Sequence, residues 1–287
     1  MQIDGHTKMA AVIAQPIKHS LSPFIHNLAF SLTDVNAVYL AWEVGPEDLE
    51  ESIKNIRRYA MLGANLSMPY KQAVLPYLDQ ISPVASMIGA VNTIQNKDGR
   101  LIGHNTDGAG FFASLGDFNP KDKVIAVIGS GGAARSIICQ AIFDGAKTIF
   151  ILDKPAYLQS SQEFFQSLLE GRKTSLKVIS REDPEAVQEI LNQSDLLVQA
   201  TSVGMDGSSM PLDASLILPQ GIMLADIIYQ PLETPFLAWA KDQGIRGTNG
   251  LGMLLHQAAA AYRLWTQKEM PVEEIESRLL VKLREKE

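Results

Sequence analysis

The chain switches repeatedly between short apolar runs and stretches with helical spacing of apolar residues, the rhythm of alternating strands and helices. Residues 9–15 (MAAVIAQ) and 38–44 (VYLAWEV) predict strands, with a helix starting after Ser22 between them. Residues 46–60 pair an apolar face with a charged one and predict an amphipathic helix. Residues 62–67 predict a short strand, and 90–105 a hairpin turning at Asp98-Gly99. The polar, turn-rich segment 115–123 reads as a domain boundary. Further strands are expected at 175–180, 196–201 and 223–229, and helices at 156–170, 183–193 and 250–265. The pattern predicts an α/β protein of two domains: 1–115, then 116–247, with helices of 248–287 returning to the first. Ligands of open α/β sheets lie outside the carboxyl ends of the strands, so a cleft between the domains is the expected active site.

One stretch, 124–153, is the most specific. An apolar strand enters a glycine turn, a helix follows, and a second apolar strand ends on Asp153. Gly129, Gly131 and Ala134 fit the G-x-G-x-x-G/A dinucleotide fingerprint. Such a turn lets a pyrophosphate lie almost on the backbone at the positive end of a helix. Asp153, 24 residues after Gly129, stands where an acid accepts bonds from the adenosine ribose. A carboxylate there repels a 2′-phosphate, so NAD is expected over NADP, with Lys154 a partial offset.

Composition narrows the partners. Among 287 residues, 25 Lys and Arg face 32 Asp and Glu, a net charge of −7 that argues against a nucleic-acid partner. No apolar run has the length of a membrane span, and the N-terminal residues lack a signal-peptide layout, so a cytoplasmic protein is expected. The single cysteine, Cys139, lies in an apolar helix face and reads as a packed thiol. His19, His26, His104 and His256 lack metal-ligand spacing, so no metal site is expected.

Three polar segments could carry chemistry. Ser20-Leu21-Ser22-Pro23 places hydroxyls at a helix start, with Ser22 as the expected cap, a seat for a small carboxylate or simply an ordinary helix beginning. Lys71, after the proline turn of residues 65–71, either projects into the cleft or is solvated. Asn105-Thr106-Asp107-Gly108 puts a carboxylate at a strand tip, which an Asx turn also explains.

HSLSP, NLSMPYK, GAVNT, GHNTDG, GSGGAAR, ATSVGM, DIIYQPLETP and GLGMLLHQAA occur in this order between about Gln15 and Trp265. Together they resemble the shikimate dehydrogenase family, including its quinate/shikimate dehydrogenase branch. The resemblance implies an NAD(P)-dependent oxidoreductase of the chorismate pathway to aromatic amino acids, monomeric or homodimeric, acting on shikimate or 3-dehydroshikimate. It implies Lys71 and Asp107 as the catalytic pair and Ser20 and Ser22 as ligands of the substrate carboxylate. Asn65, Ser67, Asn92, Tyr229 and Gln257 would bind the ring hydroxyls and the reacting oxygen. Gly129, Ser130, Gly131, Gly132 and Ala133 would hold the pyrophosphate, with Asp153 and Lys154 near the ribose. Thr201, Ile227, Gly250 and Met253 would line the nicotinamide.

Two departures from the family pattern matter. Ser67 stands where threonine is usual, and the lost methyl is expected to make room for the extra hydroxyl of quinate. Asp153-Lys154-Pro155 replaces the usual NADP site, which favours NAD. The competing readings are an NADP-dependent biosynthetic enzyme and a catalytically silent dinucleotide-binding regulator. Gln199 replaces a common asparagine, and the sequence offers no reason for it.

Overall fold

The computed structural model describes residues 3–284. The chain forms two compact units: Met1–Gly110 with Leu255–Glu287, and Phe111–Leu254.

The first unit begins with β1 (Lys8–Ala14), α1 (Ser22–Leu32), β2 (Ala37–Glu43), α2 (Leu49–Arg58) and β3 (Gly63–Leu66). It continues with α3 (Tyr70–Ala73), β4 (Gln80–Ile81), α4 (Pro83–Ile88), β5 (Thr93–Lys97), β6 (Arg100–His104) and α5 (Asp107–Ala113), whose last residues enter the second unit. Its sheet has the order β2-β1-β3-β5-β6-β4, and β5 alone runs antiparallel to its neighbours. β1 is central and buried on both faces, which is why it reads as an unbroken apolar run. α2 buries Leu49, Ile53 and Ile56 on one stripe, against Ile13, Leu66 and Ile94. The expected helix 46–60 opens instead with a 3-10 turn at Pro46–Asp48. The β5–β6 hairpin turns at Asp98 and Gly99, with φ of 53° and 86°, as a two-residue turn of this hand requires.

The second unit contains β7 (Val124–Ile128), α6 (Gly132–Phe143), β8 (Thr148–Asp153), α7 (Leu158–Gln166), β9 (Ser175–Ser180) and α8 (Pro184–Leu191). β10 (Leu196–Gln199), β11 (Met223–Asp226), α9 (Pro235–Asp242) and β12 (Gly247–Thr248) complete it. Its six strands are all parallel in the order β9-β8-β7-β10-β11-β12, the doubly wound arrangement with a topological switch point between β7 and β10. Residues 115–123 belong to this unit and are bonded to the start of β8, with Asp122 N–H on the Gly145 carbonyl and Lys147 N–H on that of Lys123. α10 (Leu251–Thr266) begins in the second unit and ends in the first, and α11 (Val272–Arg284) lies wholly in the first.

Two expected strands stop early because a side chain bends the backbone. β10 ends at Gln199, whose Oε1 accepts from Thr201 N–H and Oγ1 at 3.1 and 3.0 Å. β11 ends at Asp226, whose Oδ1 accepts from Ile228 N–H at 2.9 Å. Cys139 is fully buried, and burial pushes its thiol up to about 12. Among the described residues no helix is long and apolar enough to cross a membrane.

Candidate active site

The polar residues of the first unit converge on one carboxylate. β3 ends at Leu66, and Ser67 accepts Tyr70 N–H at 2.8 Å to start the short α3. Buried Tyr70 anchors that turn through its hydroxyl on the Val44 carbonyl, and Lys71 follows. Lys71 Nζ lies 2.6 Å from Asp107 Oδ2, with the lysine side chain 33% and the aspartate 11% exposed. The other oxygen, Oδ1, accepts from Asn92 Nδ2 at 2.7 Å. Asn92 spends its second N–H on Thr106 Oγ1 at 3.0 Å, and its Oδ1 accepts from Thr106 N–H and the Thr93 hydroxyl. All polar valences of Asn92 are thus engaged, and it fixes the rotation of the Asp107 carboxylate. Asp107 N–H is held by Asn105 Oδ1, and Asn105 Nδ2 by the Ala90 carbonyl.

Asn65 extends this network. Its Nδ2 donates to Thr93 Oγ1 at 3.0 Å and the Asn92 carbonyl at 3.2 Å, and its Oδ1 accepts the Tyr39 hydroxyl at 2.7 Å. Both amide hydrogens are consumed inside the unit. At α1 the cap differs from the sequence expectation. Leu21, not Ser22, is the capping residue, and no side chain caps the helix in the usual way. Ser20 Oγ instead accepts Ser22 N–H at 3.2 Å, satisfying a free donor from one position earlier. Gln257, on α10, lies against Gly110, where an added Cβ would fall 2.4 Å from its backbone nitrogen. Tyr229, also expected to bind substrate, lies in the second unit just beyond β11, and burial raises its phenol.

The second unit gathers the expected dinucleotide residues at its switch point. Gly129 (φ +96°) follows β7, and a Cβ there would lie 2.5 Å from Thr201 Cγ2, which follows β10. Gly131 and Gly132 face open space, so the missing side chains leave a cradle above the turn. α6 starts there with no side-chain cap, leaving its first N–H groups to an anion such as a pyrophosphate. Ala133 lies in that first turn, and Ala134 is buried beneath it. Asp153 ends β8 and is 5% exposed. Its carboxylate accepts from Ser130 Oγ at 2.5 Å, Lys154 N–H at 2.8 Å and Ser161 Oγ at 3.4 Å. Gly250 donates to the Ile228 carbonyl at 2.8 Å, and its Cβ position is filled by the Ile227 carbonyl oxygen. Met253 lies in the first turn of α10. These residues fit a dinucleotide: space, bare N–H groups and a carboxylate at the tip of β8, where the sequence pattern expects the ribose.

Sequence reasoning overlooked Tyr39, Thr93 and Thr106, and left Gln199 without a reason. Thr106 sits inside a quoted motif, and Tyr39 is a polar-tipped residue at an inward position of β2. Gln199 is fully buried, and its Nε2 donates to the Val203 carbonyl at 2.7 Å, which explains its choice: it shapes the loop that presents Thr201.

A doubly wound parallel sheet with this turn, in a chain that also builds a Lys–Asp pair, defines a dinucleotide-binding α/β protein of the oxidoreductase class. Models of the shikimate dehydrogenase substrate-binding domain and of the shikimate 5′-dehydrogenase C-terminal domain match residues 12–94 and 250–280. A Streptococcus thermophilus protein named shikimate dehydrogenase (NADP(+)) is 58% identical over 271 residues, covering 94% of this chain and 95% of its own. The chain belongs to the shikimate dehydrogenase family, a family of oxidoreductases. Among solved structures, a shikimate 5-dehydrogenase from Listeria monocytogenes, in complex with shikimate and NAD, superposes with a TM-score of 0.92 at 38% identity. That match covers 97% of this chain and 98% of the other. A quinate dehydrogenase from Corynebacterium glutamicum in complex with NAD gives 0.82 at 26% identity, covering 96% and 99%.

Proposed function

We propose that this enzyme interconverts 3-dehydroshikimate and shikimate with a nicotinamide dinucleotide, using Lys71 and Asp107 for proton transfer. The observation that carries the reading is the 2.6 Å Lys71–Asp107 pair, with Asn92 holding the second carboxylate oxygen. The hydride added to the ketone carbon in reduction, or removed from the alcohol carbon in oxidation, would be supplied or taken up by the bound dinucleotide, held by the glycine turn after β7. In reduction, negative charge grows on the substrate oxygen. The Lys71 ammonium stabilises that charge and delivers the proton that completes the hydroxyl. In oxidation, neutral Lys71 accepts the proton. Asp107 aims the amine in both directions, and Asn92 stops the carboxylate from turning away. Ser20 and Ser22, at the start of α1, would take the substrate carboxylate. Ser67, Gln257 and Tyr229 supply candidate partners for ring hydroxyls.

NAD is the preferred dinucleotide in this reading. Asp153 stands at the tip of β8, where a 2′-phosphate would meet a buried carboxylate. The Listeria relative, solved with NAD, supports it. The NADP(+) designation of the streptococcal relative favours the alternative, in which Lys154 would offset Asp153. Ser67 extends the reading to quinate. Steady-state kinetics with shikimate and quinate, each with NAD and NADP, tests all three statements. The expected result is turnover of shikimate, a higher kcat/KM with NAD, and measurable quinate oxidation that Ser67→Thr reduces. A higher kcat/KM with NADP overturns the Asp153 argument. Equal rejection of quinate by wild type and Ser67→Thr overturns the Ser67 argument. No turnover of shikimate with either dinucleotide overturns the whole reading.

A further inference from the structure

Tyr39 is one of the most thoroughly fixed side chains in the first unit, yet it stands outside the assigned catalytic and binding residues. Its ring is 1% exposed. The His26 ring stacks on it at 4.4 Å between centroids and 11° between planes. Its backbone is clamped from α1 by a single side chain: Asn27 Oδ1 accepts Tyr39 N–H at 2.8 Å, and Asn27 Nδ2 donates to the Tyr39 carbonyl at 2.8 Å. Its hydroxyl reaches the opposite way and donates to Asn65 Oδ1 at 2.7 Å.

Each connection has a direction. His26 lies four residues after Ser22 on α1, so the two share a helix face. Holding His26 and Asn27 therefore holds the first turn of α1 and the serines at its start. Asn65 lies on β3, two residues before Ser67, and its amide hydrogens are tied to the Asn92 carbonyl and Thr93. Tyr39 thus connects the serine-bearing helix start to the network that carries Asp107.

We propose that Tyr39 is a positioning residue for the substrate acid, fixing Ser20 and Ser22 relative to the Asn65–Asn92–Asp107 network through its hydroxyl and its clamped backbone. Burial raises the phenol well above its ordinary value, opposed by a hydrogen bond from Ser22, so the hydroxyl stays a donor. His26 has no hydrogen-bond partner at either ring nitrogen, and burial lowers it to about 3. It serves as a neutral plate beneath the phenol. Asn65 then acts as the receiver of this tether, and its spent donors leave it no free N–H for a ring hydroxyl.

The proposal rests on the reading of the serines as carboxylate ligands, and the test separates the two. Wild type, Tyr39→Phe, Ser22→Ala and the double variant are assayed with shikimate and with shikimate methyl ester, which lacks the acid's charge. Tyr39→Phe keeps the ring and removes both hydrogen bonds of the hydroxyl, to Asn65 and from Ser22, so KM for the acid should rise about tenfold. Its kcat and its KM for the dinucleotide should stay unchanged, and KM for the ester should not move. The double variant should be no worse than Ser22→Ala, because both changes act through one contact. Asn27→Ala, which releases the backbone clamp, should show the same selective rise and serves if Tyr39→Phe does not fold. An unchanged KM for the acid, an equal rise for acid and ester, or a fall in kcat with a rise in dinucleotide KM overturns the proposal. Failure of the wild type to oxidise shikimate overturns the functional reading instead.

Discussion

The two units build their sites from opposite materials. The first uses side chains: Tyr39, Asn65, Thr93, Asn92, Thr106, Asp107 and Lys71 form a continuous hydrogen-bonded chain in which most donors are spoken for. The second uses backbone and empty space: a glycine turn, an uncapped helix start and one carboxylate at a strand tip. A packed polar network holds a reacting group in one orientation, which proton transfer requires. A bare turn lets a ligand's phosphates approach N–H groups closely, which a side chain would prevent. The comparison predicts that chemistry is lost by removing the Lys71 or Asp107 side chain in the first unit, and dinucleotide binding is lost by adding a side chain to the glycine turn of the second.

The largest effect is expected at Lys71. Lys71→Ala removes the proton donor while leaving Asp107 held by Asn92, so kcat should fall on the order of 10³-fold. Dinucleotide affinity, measured by fluorescence titration, should stay within about twofold, since it belongs to residues elsewhere. Near-normal turnover would show that the pair is an ordinary structural ion pair.

Adding a methyl to the glycine turn sharpens the other half. Gly129 has positive φ and no room beside Thr201, so Gly129→Ala should destabilise the fold by about 1–3 kcal/mol and weaken dinucleotide binding. Gly131 has an ordinary φ of −69° and faces open space. Gly131→Ala should leave the thermal midpoint of the free protein nearly unchanged while reducing dinucleotide affinity about tenfold, the scale of one lost or lengthened phosphate contact. Equal affinity in wild type and Gly131→Ala would mean that the open space is not where phosphates lie.

How much of this was legible in advance follows the same division. The glycine turn was readable because its requirements are local: strand, glycines, helix and acid all fall within 124–153. Its partner Thr201 and the strap at Ile227 were named only through family resemblance, since the switch point joins segments some 70 to 100 residues apart. In the first unit, the Lys71–Asp107 pairing likewise depends on strand order rather than spacing. The short elements α3, α4 and β4 escaped because their propensities are weak and tertiary packing decides them. Ser22 looked like a cap by composition, but Leu21 takes that position, and Ser20 accepts the Ser22 N–H from outside the helix. Tyr39 was invisible because an apolar run gives no sign of which aromatic tip finds a polar partner.

The smallest effect tests a buried carboxyl of the second unit other than Asp153. Asp226 is 1% exposed, accepts from Ile228 N–H and from the Thr234 hydroxyl at 2.7 Å, and is pushed up by burial to about 6. A carboxyl whose folded pKa exceeds its unfolded value of 3.8 binds more protons in the folded state. Its favourable contribution is therefore fully present below about pH 4, declines as pH rises towards about 6, and is gone above that. Asp226→Asn cannot titrate. Although it loses one acceptor, its unfolding free energy should be flatter across this interval than that of the wild type, as read from denaturant midpoints at each pH. Parallel profiles would mean that Asp226 stays ionised throughout, held by its two donors. The turn carrying Ile227 and Tyr229 would then be fixed by a charge-assisted bond, as Lys71 is fixed in the first unit, and the contrast between side-chain and backbone construction would have to be drawn more narrowly, around the glycine turn alone.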